Sequence, residues 1–360
     1  MRCVLDPGET LGSTRGARFT HLALGPRGEA FASSAEGLRR FRSGEAPESL
    51  GPSCDGGLAV HLRRGLVWVL CLTRPFEAKD EPGVLTLRAL PAPGGSDAPP
   101  RFTFAAGGAD SAGVALDAHP AGGLALAWHD AGRVFAARLA VDGDPGQGAG
   151  GNGPELETEL VSASTARAGA PRLLRVGERT LLTYGEAWRD AAGEAGRVLV
   201  KDLAGGLPQE VARVRGDARP APDLTRDERG LVVIYREHRP GRKTALYARR
   251  LDDDLRPKAQ ARRVARADGE GRPSALVCGG SLITVTPRSW GQARIIGARV
   301  LDATLRDRLP ERQLYEWDAR FDAVAARCEH DTVSLLVAER SLPGEAPATL
   351  QRLALRCRAP

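Results

Sequence analysis

The chain repeats itself about every fifty residues, and a period of that length fixes the class of architecture before any local propensity matters. Three segments share one phrase: a short apolar run ending in an aromatic residue, one further residue, then a carboxylate. They are Leu124-Ala-Leu-Ala-Trp128-His-Asp130, Leu181-Leu-Thr-Tyr184-Gly-Glu186 and Val232-Val-Ile-Tyr235-Arg-Glu237. Leu282-Ile-Thr-Val-Thr286 and Val333-Ser-Leu-Leu-Val337 repeat the run without the aromatic. A shorter run and a turn precede each copy, as in Leu173-Leu-Arg-Val176 followed by Gly177-Glu178. A third run follows, as in Val198-Leu-Val-Lys-Asp-Leu203, and then a more polar fourth, as in Leu156-Glu-Thr-Glu-Leu-Val161.

Short apolar runs between turn signals are strands rather than helices. Four antiparallel strands in each unit of about fifty residues is the pattern of a β-propeller blade. The first two strands are apolar on both faces, as burial between neighbouring blades requires, and the fourth is polar because it lies outside. Seven units fill the chain, at roughly 17–53, 54–108, 109–163, 164–216, 217–269, 270–317 and 318–360. The last lacks a fourth strand after Leu350-Gln-Arg-Leu-Ala-Leu355, and Arg2 to Leu5, within residues 1–16, can supply it. The expected fold is all-β: a seven-bladed β-propeller of four-stranded antiparallel blades, one domain over 1–360. The N- and C-terminal strands would share one blade, which closes the ring and leaves no exposed sheet edge at the junction. Length alone would suggest two domains for 360 residues, and the repeat replaces that reading. The 43 glycines and 25 prolines suit the many turns that such a fold needs.

The units resemble the sialidase-like (BNR-like) propeller repeats of bacteria. In those repeats a Gly-rich turn precedes an apolar strand ending in Trp-x-Asp, and a third strand ends in Arg-Leu-Asp. The matching residues are Gly122-Gly123 through Trp128-His-Asp130, and Tyr247-Ala-Arg-Arg-Leu-Asp252. The resemblance spans roughly 110–302 and implies the propeller fold. It also implies, as one functional possibility, a glycoside hydrolase that holds the carboxylate of an anionic sugar with arginines. The chain departs from the pattern at its informative points. It has no Arg-Ile-Pro near the start and no intact Ser-x-Asp-x-Gly-x-x-Trp box, the nearest being Thr225-Arg-Asp227-Glu-Arg-Gly230 with one extra residue.

A formal charge of +6 invites a polyanion reading. Only four of the 51 basic residues are lysines, and asparagine occurs once, a usage that a GC-rich genome imposes. The arginines are spread along the chain with no long run, so nucleic acid is not an expected partner. No apolar stretch of about 18 residues is present, so no transmembrane segment is expected. The first residues lack the apolar stretch of a signal peptide. The expected location is periplasmic or extracellular if a leader has been removed, and cytoplasmic otherwise.

Six cysteines occur, with no Cys-x-x-Cys or ligand-like histidine spacing among His21, His61, His119, His129, His238 and His330. Neither a metal nor a cofactor is expected. Under the closure scheme Cys3 lies beside the strand bearing Cys357, and a disulfide there would staple the ring where the chain is discontinuous. Cys278 and Cys328 fall at the same point of adjacent units, and the sequence leaves open whether they, Cys54 and Cys71 are bridged. The Gly146-Gln-Gly-Ala-Gly-Gly151 run has no helix after it and reads as a surface insertion rather than a phosphate loop.

Three constellations could carry chemistry. Arginines stand just before the first strands of four units that are contiguous around a ring: Arg18, Arg219, Arg272 and Arg320, three of them two residues after an acid. They are either ligands for an anion, through their planar fork, or clips between blades. Asp130, Glu186 and Glu237 leave the second strand on one face and could serve as glycosidase carboxylates. Each has an arginine within three residues (Arg133, Arg189, Arg239), and repeated residues of a propeller are usually structural. The loops after the second strands carry Phe76, Trp188, His238 and Trp290 among Arg74, Arg189, Arg236, Arg239, Arg242, Lys243 and Arg288. Aromatic residues and arginines together compose a recognition surface. The expected function is a non-catalytic, monomeric binding scaffold that takes a protein or glycan partner on that face. The alternative is a sialidase-like glycoside hydrolase acting on an anionic sugar.

Overall fold

Alternation along each strand explains the architecture, because residues i and i+2 point to one side and i+1 to the other. In a computed structural model of the chain, residues 2–14, 17–26, 28–74, 83–90, 100–107, 112–141, 156–162, 167–191, 193–215, 220–238, 243–267, 272–290, 293–302, 304–306, 312–317, 320–329, 331–340 and 347–358 are described. For some of these, among them Cys3, Arg288, Trp290, Arg320 and Cys357, only the backbone is described.

All regular structure among the described residues is strand. The chain starts with β1 (Arg2–Ser13). Blade 1 follows as β2 (Phe19–Leu24), β3 (Ala30–Ser34), β4 (Gly37–Phe41) and β5 (Glu48–Gly51). Blade 2 is β6 (Gly57–Arg63), β7 (Leu66–Thr73), β8 (Gly83–Leu90) and β9 (Arg101–Gly107). Blade 3 is β10 (Ala112–Ala118), β11 (Leu124–Asp130), β12 (Arg133–Leu139) and β13 (Leu156–Leu160). Blade 4 is β14 (Arg167–Val176), β15 (Arg179–Asp190), β16 (Gly193–Asp202) and β17 (Gln209–Arg215). Blade 5 is β18 (Asp223–Asp227), β19 (Gly230–Glu237), β20 (Ala245–Leu251) and β21 (Arg262–Arg266). Blade 6 is β22 (Ser274–Cys278), β23 (Ser281–Trp290), β24 (Ala293–Leu301) and β25 (Arg312–Trp317). Blade 7 is β26 (Arg320–Glu329), β27 (Thr332–Arg340) and β28 (Thr349–Arg358), with β1 antiparallel to β28 as its outermost strand. The fold is a seven-bladed β-propeller of four-stranded antiparallel sheets.

The first strand of each blade touches the first strands of both neighbours, so these seven strands form a closed circle around a central channel. Hydrophobic burial is distributed between the blades. Seven apolar clusters lie among the described residues, one at each junction. In blade 5, Leu231, Val233 and Tyr235 fill the layer against blade 4, while Val232 and Ile234 fill the layer against blade 6. The second strands are therefore buried on both faces, as their composition demands. First strands such as β2, β6 and β14 are only half-buried, because one edge lines the channel. The fourth strands are mostly exposed, as in Leu156–Leu160.

Polar contacts repeat with the same period. Trp128 Nε1 donates to the carbonyl of Ala106 in the preceding blade at 2.8 Å, and the hydroxyl of Tyr184 donates to Val161 O at 3.3 Å. The repeated aromatic thus supplies an apolar body to the junction and one hydrogen bond across it. Asp117 of β10 accepts the Ala118 N–H at 2.7 Å and the Arg175 N–H of blade 4 at 3.0 Å. Asp223 of β18 does the same for Leu224 at 3.0 Å and for Ala275 of blade 6 at 2.9 Å. Each carboxylate satisfies an N–H on the free inner edge of the next blade. Gly123 shows how tight the turns are. Its φ is +78°, and a Cβ there would lie 2.1 Å from the carbonyl oxygen of Leu139.

Two disulfides reinforce junctions. Cys54 and Cys71, with Cα atoms 5.1 Å apart, sit in the layer between blades 1 and 2. Cys278 and Cys328, 5.5 Å apart, join the innermost strands of blades 6 and 7, which resolves the question their equivalent positions raised. At the chain junction the register sets Cys3 directly opposite Cys357. Direct cross-strand partners fall within the Cα separations a disulfide requires. Non-reducing peptide mapping is expected to return Cys3 joined to Cys357, and Cys3→Ser is expected to lower stability by up to about 4 kcal/mol. Alkylation of both thiols without reductant would contradict this.

Candidate functional site

Antiparallel pairing brings the start of each first strand beside the end of each second strand. In blade 4 Arg167 faces Ala187, and in blade 5 Asp223 faces Ile234. The arginines before the first strands and the loops after the second strands therefore share one end of the channel. That end is uneven. β11 and β19 stop at Asp130 and Glu237, the acids of the repeated phrase, whereas β15 runs on to Asp190 and β23 to Trp290. Strand pairing in blades 4 and 6 thus runs further than in blade 5 between them. Trp188, paired with Ala195, and Trp290, paired with Ala293, lie in those two extensions.

The four arginines do not behave alike. Arg18 is exposed. Arg219 lies outside the described residues, and Arg320 is described through its backbone, opposite Arg340. Arg272 reaches across the channel end. Its guanidinium donates to the carbonyls of Ala170 and Pro171 in blade 4 and of Pro222 before blade 5, the last at 2.7 Å. Burial above all, then the nearby charge of Arg172, disfavours its charged form, and Asp223 offsets part of this. Arginine remains protonated in such surroundings, and the carbonyl oxygens accept its donors. Arg272 thus ties three blades together through carbonyls, while Glu270, the acid two residues before it, lies outside the described residues.

Among the recognition residues, Trp188 is half-buried with the guanidinium of Arg197 over its ring, 5.9 Å from the centroid. His238 places Nδ1 3.0 Å from the Thr244 hydroxyl. Arg189 and Lys243 are exposed. Arg74 turns back onto Asp55, with its N–H 2.9 Å from the carboxylate and its guanidinium 3.2 Å from the carbonyl. Arg236 gives its backbone N–H to Pro220 O at 2.8 Å. Phe76, Arg239, Arg242 and the Gly146–Gly151 run lie outside the described residues.

The carboxylates Asp130, Glu186 and Glu237 are all buried. Glu186 takes its ion pair from Arg197, its cross-strand partner on β16, at 2.7 Å, while the sequence neighbour Arg189 points to solvent. A Cβ on Gly107 would fall 2.0 Å from Asp130, so that carboxylate lies against the backbone of blade 2. The same last inward position of the second strand holds Ser34, Thr73 and Glu339 in blades 1, 2 and 7. Thr73 donates from its hydroxyl to Ser53 O at 3.0 Å. A polar residue recurs where each apolar junction layer meets solvent, so these acids belong to the closure of the layers.

Sequence reading missed Glu339, two residues past the fifth copy of the run. It is half-buried, accepts from Gln351 at 3.1 Å, and burial holds its carboxyl above the usual range. It also missed the channel pair His61 Nδ1 and Asp117 Oδ1, 3.4 Å apart. Burial lowers the His61 pKa, Asp117 opposes this, and Arg327, Arg63 and Arg175 add to it. Among the described residues no three His, Cys, Asp or Glu side chains converge as metal ligands, and no helix is long and apolar enough to cross a membrane.

No protein-family profile matches the chain, and no curated protein matches it in sequence. Solved structures do. The Dos1 propeller is similar with a TM-score of 0.55 at 10% identity, covering 96% of this chain and 94% of that one. The AfRom2 CNH domain gives a TM-score of 0.54 at 10% identity, covering 98% and 100%. Trypanosoma rangeli sialidase in complex with the inhibitor DANA gives 0.48 at 9% identity, covering 82% of this chain and 54% of the sialidase. At these identities the likeness is one of fold.

Arg272→Met keeps much of the side-chain volume and removes the donors. It is expected to cost about 2–4 kcal/mol in urea unfolding, since several carbonyls lose a charged partner. A stability unchanged within about 0.5 kcal/mol would return Arg272 to the ligand candidates.

Proposed function

We propose that the chain is a non-catalytic binding propeller, and that its glycan or protein partner lies over blade 5 between the longer strands of blades 4 and 6. The observation that carries this reading is where the repeat breaks. The repeated polar residues are taken up by contacts within and between blades, while Trp188 and Trp290 sit on strand extensions that β11 and β19 lack. A tryptophan backed by Arg197 offers a rigid stacking surface for a sugar ring or an apolar side chain. His238, held through Nδ1 by Thr244, has no Nε2 partner among the described residues. Arg18, with Arg219 and Arg320 by their place before the first strands, supplies positive charge for a carboxylate or sulfate. The two disulfides favour an oxidising compartment, the periplasm or the cell exterior. The protein works as a monomer without a cofactor.

One observation favours the second reading, a sialidase-like glycoside hydrolase. Glu339 is a carboxyl held above its usual range by burial, the state a general acid needs. Two measurements separate the readings. On a glycan array, binding is expected to fall about tenfold with Trp188→Ala and with His238→Ala, the size of an anchor lost from an interface. A panel of fluorogenic glycosides is expected to show no turnover. Turnover that Glu339→Gln abolishes would establish the hydrolase instead.

A further inference from the structure

The net charge of +6 is unevenly placed on the outer rim. The outermost strand of blade 3, Leu156–Leu160, carries Glu157 and Glu159 and no base. Two blades on, the outermost strand of blade 5, Arg262–Arg266, carries Arg262, Arg263 and Arg266 and no acid. All three arginines are exposed, and none of their side chains has a hydrogen-bond or ion-pair partner among the described residues. Arg213, exposed on the outermost strand of blade 4, is by contrast bound by Glu210. The turn that leads into the strand carries both signs, Asp253 and Asp254 with Arg256 and Lys258, all exposed, so the single-sign stretch is the strand itself.

We infer that this rim is a second docking surface, and that its ligand is a linear anionic polysaccharide bearing sulfate or carboxylate groups. Arg262 and Arg266 lie about 13 Å apart at the rise of an extended strand, so the charges form a line rather than a pocket. A line of fixed positive charge matches a polymer whose anions also recur along a line. Arginine rather than lysine suits oxyanions, because its planar fork gives two parallel hydrogen bonds. The disulfides favour an oxidising compartment, where acidic polysaccharides are the fitting polyanion. Charge on an edge strand also deters edge-to-edge pairing, a role that either sign fills, as Glu157 and Glu159 do on blade 3. Edge protection therefore accounts for charge at the rim but not for three unpaired charges of one sign. The surface is separate from the channel end, so either site can fail without the other.

The test uses heparin, a sulfated polysaccharide, and single-stranded DNA of similar length. The triple variant R262S/R263S/R266S is compared with R64S/R101S/R167S, which removes the same charge from dispersed positions. The rim variant should melt as the parent does, since exposed rim side chains contribute little to stability. Its heparin Kd is expected to rise at least tenfold, with a salt dependence shallower by roughly three contacts, while the control rises less than threefold. Equal losses in both variants, or no measurable heparin binding by the parent, would overturn the inference. So would tighter binding of DNA than of heparin that the rim variant loses, which would make the rim a nucleic-acid surface.

Discussion

The structure depends on one unsatisfied edge. A four-stranded blade has two apolar faces and an innermost strand with free N–H and C=O groups, and neither can be left to water or to the interior. The ring answers both at once. Each face is covered by the next blade, and in several blades part of the inner edge is satisfied by a side chain from a neighbour. Asp117, Asp223 and Arg272 are three forms of that answer: two carboxylates that accept from N–H groups, and a guanidinium that donates to carbonyls. Because no single blade has a core of its own, the seven junction layers are the core.

This sorts the polar residues of the chain. Those that recur with the repeat are spent on structural contacts: the Trp128 and Tyr184 donors and Asp130 against Gly107 between blades, and Glu186 with Arg197 within blade 4. Those that break the repeat are available for recognition. Trp188 is the clearest case, since it lies two residues past Glu186, the counterpart of the Glu237 at which β19 ends. The same logic separates Arg272, enclosed and bound to carbonyls of two neighbouring blades, from Arg18, which is exposed.

Blade number and strand order were legible in the sequence because burial on both faces of the second strand writes an unbroken apolar run, as in Val232-Val-Ile-Tyr235, and turns punctuate it. The pairing of the acids was not. Glu186 has Arg189 near it in sequence, yet strand geometry sends a residue three positions on to the opposite side, and the cross-strand partner Arg197 takes the pair. Glu339 was hidden because its run, ending at Val337, lacks the aromatic marker while keeping the acid two residues later. The Cys278–Cys328 bridge was half legible. Equivalent positions in adjacent blades were plain, but only the convergence of innermost strands around the channel brings their Cα atoms to 5.5 Å.

A ring whose core consists of junctions should not come apart blade by blade, in contrast to an open solenoid, where each repeat answers only to its neighbours. Native-state hydrogen exchange on the second strands, from Ala30–Ser34 in blade 1 to Thr332–Arg340 in blade 7, measures this directly. The account predicts one common opening free energy for all seven, equal to that of global unfolding. Opening free energies graded by blade, lowest beside the junction of the two chain ends, would contradict it.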